Sequence, residues 1–543
     1  MTQGSLPSAT SATIGLWLGG SHVCQNRVWA LLGSAFNVLF VDRTVAQDTG
    51  SDHGRVYLNT AGYGGPTNVP SLRIESPSGW VSRQDNINVS FMGSAILPPW
   101  IRGANFVGEC SGPFSPLQPS ENEEVVCRYQ DGPLWVCKRE GDVAHHRVAL
   151  PVYSLEEQEG VFDKVSLLGF LQALTLFTFL GETTGESVWH VPSIQAAFVF
   201  DDPNLHCPSY GYLNFARLAQ DAWLHNYHVA IATIPLDCYY ASKRSVDIFR
   251  KNPRQLSLLV HGNDHTRREL ATRISMMERQ RNLRQAQRRI SFFERRTGLA
   301  VDRVIAPPHG GISEDAVCAI GVSGFEAVVT SLGTLRRYNA DRPWLPFIGV
   351  SPADFVAKVP SLPRLGLSNA SKTHVAMALL MRMPVIFSGH HEDLADGIDI
   401  LNNAAKLVNG FGDVVWCGLT DVCRRNYLFH FTSDTMCVRI FSLHVRVIVP
   451  DAVRWIRVES PMWASRVEYI VDSSRKGCVA IGESLDITGA KSVEFVVSLA
   501  SNASNVPVTS FGGFSAWPMT RRILCEVRDR TRPVWERVRC VSG

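Results

Sequence analysis

The sequence predicts an α/β protein with three parts: an α/β domain in residues 1–185, a distorted (β/α) barrel in 186–427 and a sandwich-like β-rich domain in 428–543. Three patterns carry this expectation. In the middle stretch short apolar runs alternate with helical stretches, the pattern of a parallel sheet crossed by helices. Ahead of it, Ile14 to Asp42 reads as strand, helix, strand. Behind it, short runs of near-alternating apolar and polar residues are separated by turn residues, as in antiparallel sheets.

Composition sets the bounds. A chain of 543 residues exceeds what one hydrophobic core serves. With 45% hydrophobic and 19% charged residues it belongs with folded globular proteins, and a net charge of +3 singles out no polyanion as partner. The 13 cysteines are scattered from Cys24 to Cys540 without a CxxC pair, which fits reduced, separately buried thiols. Met1 to Thr13 is small and polar with no basic residue, unlike a secretory signal, so a cytoplasmic location is expected. The sequons at Asn88, Asn369 and Asn502 then carry no meaning. Val165 to Leu180 is the most apolar stretch; it is short for a membrane span and reads as a buried helix or a helix plus strand. Oligomeric state is not legible.

In order along the chain, strand-like Ile14 to Gly20 is followed by a helical stretch through Trp29–Leu32 and a second strand at Val38–Val41. Leu18-Gly19-Gly20-Ser21 is too short a match for a phosphate-binding loop. Residues 45–130 are rich in Gly, Pro, Ser and Asn, and strands follow at Leu134–Cys137 and Val148–Leu150. The middle stretch offers strands at Phe198–Phe200, Val229–Ile234, Leu256–Val260, Val304–Ile305, Ala327–Thr330 and Val385–Phe387, with helices at Leu213–Asn226 and Glu269–Arg295. The second helix is strongly basic, but Leu270, Ile274, Met277, Ile290 and Phe293 keep helical spacing. A barrel helix with a solvated face explains it, and no nucleic-acid partner is expected. Strands at Val438–Phe441, His444–Val449, Trp455–Val458 and Val493–Val497 precede a charged amphipathic helix at Met519–Arg530 that is expected to dock on a neighbouring domain.

The chemistry concentrates at strand ends of the middle domain. Ala196–Phe200 runs into Asp201-Asp202-Pro203, two carboxylates where the backbone leaves the core. Adjacent side chains on a strand point opposite ways, so one carboxylate suits a metal and the other a substrate; two turn caps are the plainer alternative. After Leu256–Val260 come His261 and His265. Their spacing of four puts both imidazoles on one face of a helical turn, which suits two ligands of one metal. Val304-Ile305 leads into Ala306-Pro307-Pro308-His309-Gly310-Gly311, a rigid path able to aim an N–H at a substrate or simply to turn. Val385–Phe387 ends on the pair His390-His391.

Taken in order, the Asp-Asp strand end, the HxxxH, the proline-rich loop and the late strand-end histidine resemble the polysaccharide deacetylase (NodB-homology, carbohydrate esterase family 4-like) superfamily. The resemblance covers about residues 190–420. It implies a distorted (β/α) barrel of the deacetylase type that removes acetyl groups from an N-acetylated sugar or polysaccharide with one divalent metal, zinc first among the ions considered. It also implies roles: Asp201 as general base, Asp202, His261 and His265 as metal ligands, the N–H of His309 as oxyanion donor, and His390 or His391 as general acid, His390 preferred. The chain departs from the family pattern in two places. Ala306 stands where the family has an arginine that orients the catalytic aspartate, and Gly262 where it has Ser or Thr. Asp341-Arg342-Pro343-Trp344 is the candidate for a fourth motif. A non-catalytic carbohydrate-binding relative and a metal-dependent amide hydrolase with a non-sugar substrate are the other two readings.

Overall fold

The computed structural model describes residues 12–18, 26–43, 52–58, 68–75, 84–110, 116–130, 132–156, 159–344, 348–461, 463–499 and 516–542. The expectations for residues 1–11, for Gly19-Gly20-Ser21 and for the sequon at Asn502 lie outside them. The chain divides into two compact units. The first comprises Met1–Trp189 with Pro343–Val350 and Lys372–Leu380. The second comprises His190–Arg342, Ser351–Ser371 and Met381–Gly543.

In the first unit nine strands form one sheet, in which β1 (Ala12–Trp17), β2 (Val38–Asp42), β3 (Gly54–Leu58), β4 (Ser71–Ile74) and β9 (Val143–Val148) pair in parallel in the order β2-β1-β3-β4-β9. The sheet continues antiparallel through β8 (Gly132–Glu140), β7 (Glu124–Tyr129), β5 (Gln84–Phe91) and β6 (Asn105–Cys110). Its apolar helix spans Leu167–Thr184, is long and apolar enough by composition to cross a membrane, and is 67% buried within the protein. Ser166 caps its start by accepting from Gly169 N, and Gly185 at φ 72° ends it. A single buried helix thus accounts for the apolar stretch.

The second unit holds a ten-stranded sheet built outward from β10 (Ile194–Asp201). On one side of β10 lie β13 (Val229–Thr233), β14 (Leu256–Val260), β15 (Asp302–Ile305), β16 (Ala327–Thr330) and β18 (Val359–Pro363), all parallel; on the other lies β20 (Val385–Gly389), then β19 (Leu365–Gly366). One extended segment carries both β18 and β19, with Arg364 between them. Its first half therefore pairs with β16 and its second half with β20. The hairpin strand β17 (Asp354–Val356) is antiparallel to β18, and β21 (Val414–Trp416) adds to β10.

Alternation along these strands sorts their side chains. Ala197, Val199, Ala230, Ala232, Leu259, Val304, Ala306, Ala327, Val329, Leu362 and Ile386 form one buried cluster, closed by Leu419, Val422 and Cys423 of a short helix. Five of the first eleven residues are alanines, which lets the neighbouring layer approach the sheet closely there. The opposite phase of β10 is aromatic: Phe198 packs on Tyr227, Phe387 and Trp416 at 5.3, 5.7 and 5.1 Å. Burying such a ring contributes about 2–3 kcal/mol. Asp201 continues the Ala197–Val199 phase, so the first carboxylate rises directly off the packed interior.

The C-terminal part forms two four-stranded sheets, one with Tyr427–Thr432, Thr435–Ile440, Trp455–Ser460 and Ser484–Asp486 in that order, the other with His444–Ile448, Ser492–Val496, Arg466–Val471 and Arg475–Ala480 in that order. Their inner faces share one core that includes Val438, Ile456, Val467 and Phe495. The final helix is longer than the sequence pattern indicates, running Ala516–Ser542. The helix expected at Glu269–Arg295 is instead Met276–Thr297, with Ser275 as its cap; residues 269–275 remain loop.

Candidate active site

Four loops at the C-terminal ends of β10, β14, β15 and β20 bring the marked residues to one end of the sheet. Asp201 is 2% exposed, and its carboxylate meets the guanidinium of Arg364 in two parallel hydrogen bonds, Nη1–Oδ1 and Nη2–Oδ2, each 2.9 Å. Burial alone would raise its pKa; Arg364, with His261 nearby, outweighs burial and holds the carboxyl below its usual range. Asp202 turns at φ 86°, a left-handed conformation that few side chains adopt. That turn lets consecutive carboxylates serve different neighbours.

Asp202 Oδ1 lies 3.6 Å from His261 Nε2 and 3.1 Å from His265 Nε2. The three side chains each present one ligand atom within 4.8 Å of the others. His261 Nδ1 is 2.9 Å from the carbonyl of Ala306, which can only accept, so Nδ1 carries the proton and the lone pair of Nε2 faces Asp202. Burial pushes the His261 pKa down to about 4, keeping the ring neutral. Asp202, despite burial, is held far below the carboxylate range by His265, His261 and Arg522.

The two histidines do not share a helical turn. Residues 261–275 are loop, with Gly262 at φ 65° and His265 at φ 53°, and the rings converge to 5.1 Å because the backbone reverses. The sequence misses what shapes that loop. Half-buried Glu269 accepts from the N–H groups of Asn263 and, at 3.1 Å, Asp264. Gln285 accepts from the Asn263 amide at 2.9 Å, and Arg289 reaches Asn263 Oδ1 at 2.8 Å and also binds Asp264. Part of the basic helix therefore holds the histidine loop. A Cβ on Gly262 would collide with the Glu269 carboxylate and come within 2.6 Å of the Pro308 ring, so the Ser or Thr of the family pattern does not fit here.

His309 sits in the proline-rich loop at φ 54°, its ring 5.0 Å from that of His265. The histidine pair divides. His390 Nε2 is 3.9 Å from Asp202 Oδ2, and its side chain is 54% exposed. His391 turns away: it is buried, stacks on Tyr212 at 5.9 Å, meets Tyr210 edge-on at 5.5 Å and lies 3.9 Å from Asp529 of the C-terminal helix. Arg342 pairs with Glu314 at 2.9 Å, which accounts for that part of the Asp341–Trp344 stretch.

The C-terminal helix completes the rim. Arg521 donates to the carbonyl of His265, and Arg522 forms a buried pair with Asp237 at 2.7 Å. Glu526 binds His206 at 2.9 Å, Asp529 accepts from the Tyr210 hydroxyl at 2.7 Å, and Arg532 reaches Glu392 at 3.0 Å. One helix thus touches the loops that follow β10, β13, β14 and β20.

No family model matches the chain, and no curated protein matches it. Several solved structures do. A family 4 carbohydrate esterase from Streptomyces lividans in complex with acetate is 11% identical, over 42% of this chain and 93% of its own, at a TM-score of 0.26. The peptidoglycan deacetylase PdaC from Bacillus subtilis, in a mutant form, is 13% identical over 42% and 90%, at 0.25. A family 4 acetyl xylan esterase from Clostridium thermocellum in complex with a cobalt ion is 11% identical over 42% and 89%, also at 0.25. Polysaccharide deacetylases are thus among the structures to which this chain is similar over part of its length. What the site can do rests on its own side chains.

Proposed function

We propose that the second unit is a metal-dependent hydrolase that removes acetyl groups from an N-acetylated sugar or polysaccharide, on a distorted (β/α) barrel whose ring is carried across the β18–β19 segment. The single observation behind this reading is the pairing of two unlike carboxylates: Asp201 held by Arg364, and Asp202 facing His261 and His265.

Asp202, His261 and His265 fit a divalent ion, zinc first. Their ligand atoms converge within 4.8 Å, and Asp202 Oδ1 is buried without a hydrogen-bond partner. Such an oxygen is costly unless something charged meets it. When bound, the ion supplies Lewis-acid charge at the acetyl carbonyl. The protein's own groups do the rest. Asp201, kept ionised by Arg364, accepts a proton from the attacking water. The His309 N–H donates to the developing oxyanion, a contribution of about 3–4 kcal/mol where such donors are removed. His390, partly exposed beside Asp202, gives its proton to the leaving amine. His391, enclosed by Tyr210, Tyr212 and the C-terminal helix, positions the rim instead.

The test is acetate release from N-acetylglucosamine oligomers by the purified, metal-loaded protein. Glycan binding without acetate release under several metals would move the reading to a non-catalytic binder. Release only from non-sugar amides would change the substrate class.

A further inference from the structure

The loop that carries His261 and His265 continues into Arg267 and Arg268, both exposed and, among the described residues, paired with no carboxylate. Arg268 is nonetheless held in place. The histidine loop and the proline-rich loop are tied by the Ser313 N–H, which donates to the Leu270 carbonyl at 3.1 Å. Where they meet, a Cβ on Gly311 would come within 3.3 Å of the Tyr338 ring and 3.4 Å of Ala271. Arg268 lies over that same ring, its Cζ 5.5 Å from the centroid. An aromatic face beneath a guanidinium orders a long side chain and leaves its N–H donors free.

The charge of Arg268 bears on the site itself. Burial and His265 depress the pKa of His309, and the charges of Arg521 and Arg268 reach it and act in the same sense, against Asp202. Arg521 donates to the His265 carbonyl, which accepts a hydrogen bond but leaves the cation uncompensated. Around them, Asp201 pairs with Arg364, Asp237 with Arg522, Asp264 with Arg289 and Glu392 with Arg532, while Glu269 is taken up by the N–H groups of Asn263 and Asp264. Asp202 faces the two histidines and is the proposed ligand of a divalent ion. These carboxylates are thus matched by cations of their own, and Arg267, Arg268 and Arg521 are not. Arginines that only solvate a surface are usually interspersed with acids. A field of one sign beside a site recruits ligands of the other.

We infer that the acetylated sugar taken by this site carries an anionic group, a carboxylate or a phosphate, and that Arg268 is the residue that selects it; the sugar part of this inference rests on the function proposed above. The guanidinium offers paired N–H donors that match the oxygens of either group. The same field disfavours a chain whose acetyl groups are already gone, because each freed amine is an ammonium at neutral pH.

The experiment is titration calorimetry of the full-length, zinc-loaded protein with two pairs of sugars. One pair is a hyaluronan octasaccharide and its methyl ester, which differ only at the carboxyl groups; the other is N-acetylglucosamine 6-phosphate and N-acetylglucosamine. In at least one pair the anion should bind about tenfold tighter or more, an advantage that shrinks as salt is raised. A preference in the first pair assigns a carboxylate, and in the second a phosphate. Arg268→Gln should remove most of the advantage and Arg268→Lys should keep part of it, with circular dichroism unchanged in both. Equal affinity within both pairs, no binding of either anion, or an advantage that Arg268→Gln leaves intact overturns the proposal. Binding is read without turnover. An anion preference without acetate release therefore overturns the hydrolysis alone, and acetate release without a preference overturns this inference alone.

Discussion

Arg364 grips Asp201 through two parallel hydrogen bonds of 2.9 Å, from a position between two short strands that no sequence motif marks. The family pattern puts an arginine at the start of the proline-rich loop, where this chain has Ala306. In this chain a guanidinium reaches Asp201 from the β18–β19 segment. Ala306 instead packs its side chain in the buried cluster of the ten-stranded sheet and lends its carbonyl to His261.

Removing that guanidinium leaves a buried, unpaired carboxylate. Arg364→Met should destabilise the second unit by roughly 3–5 kcal/mol in denaturant titrations. Arg364→Lys keeps the charge but not the fork, and should lower kcat by about 10–100-fold while the protein stays folded. Equal kcat in the lysine variant would show that the paired geometry is not used.

The histidine pair offers a sharper contrast. His390→Ala should lose turnover with metal content unchanged, because His390 borders Asp202 without being one of the three converging ligands. His391→Ala should lower the melting temperature and loosen the C-terminal helix, measured by hydrogen exchange, with a smaller effect on kcat. A reversed outcome exchanges their roles.

Docking of the C-terminal helix should depend on pH through His206 and Glu526. For His206, burial disfavours the charged form, but Glu526 and the Asp237 carbonyl outweigh it, so the folded pKa lies above 6.5. Its contribution is complete below pH 6.5 and is lost as pH rises through the folded value. For Glu526, burial is outweighed by His206 and Arg530, which bring its pKa from 4.5 down to about 2. Its contribution is present above pH 4.5 and disappears as pH falls toward 2. Helix protection should therefore peak between pH 4.5 and 6.5 and decline on the alkaline side. A flat profile from pH 5 to 9 would contradict the pairing.

Much of the ten-stranded sheet was legible because its strands are short, continuous apolar runs. Phe198–Phe200, Val229–Ile234 and Leu256–Val260 each fall on a strand, and each runs into a loop that shapes the site or its rim. The convergence of Asp202, His261 and His265 was expected, but the helical turn was not what brings it about. Gly262 and His265 take positive φ angles that spacing alone does not reveal. Arg364 and Glu269 were invisible for another reason: each is a lone charged residue whose partner, Asp201 or the Asn263 backbone, is fixed only by tertiary folding. The final helix was recognised as amphipathic, yet its charged side faces the protein, a choice set by Asp237, His206 and Tyr210 across the fold.

Metal content tests the ligand set by itself. The purified protein should bind one divalent ion per chain, and His261→Ala and Asp202→Asn should each weaken that affinity while circular dichroism stays unchanged. Retention of full metal by both variants would place the ion elsewhere, for instance with His430, Cys437 and Glu459 of the C-terminal sheets.

The most direct measurement of the central claim is acetate released from N-acetylglucosamine oligomers before and after chelation, with metal counted in the same samples. Release should stop on chelation, return with zinc or another divalent ion, and be absent in Asp201→Asn at full metal occupancy. Acetate release that persists without metal, or in Asp201→Asn, would contradict it.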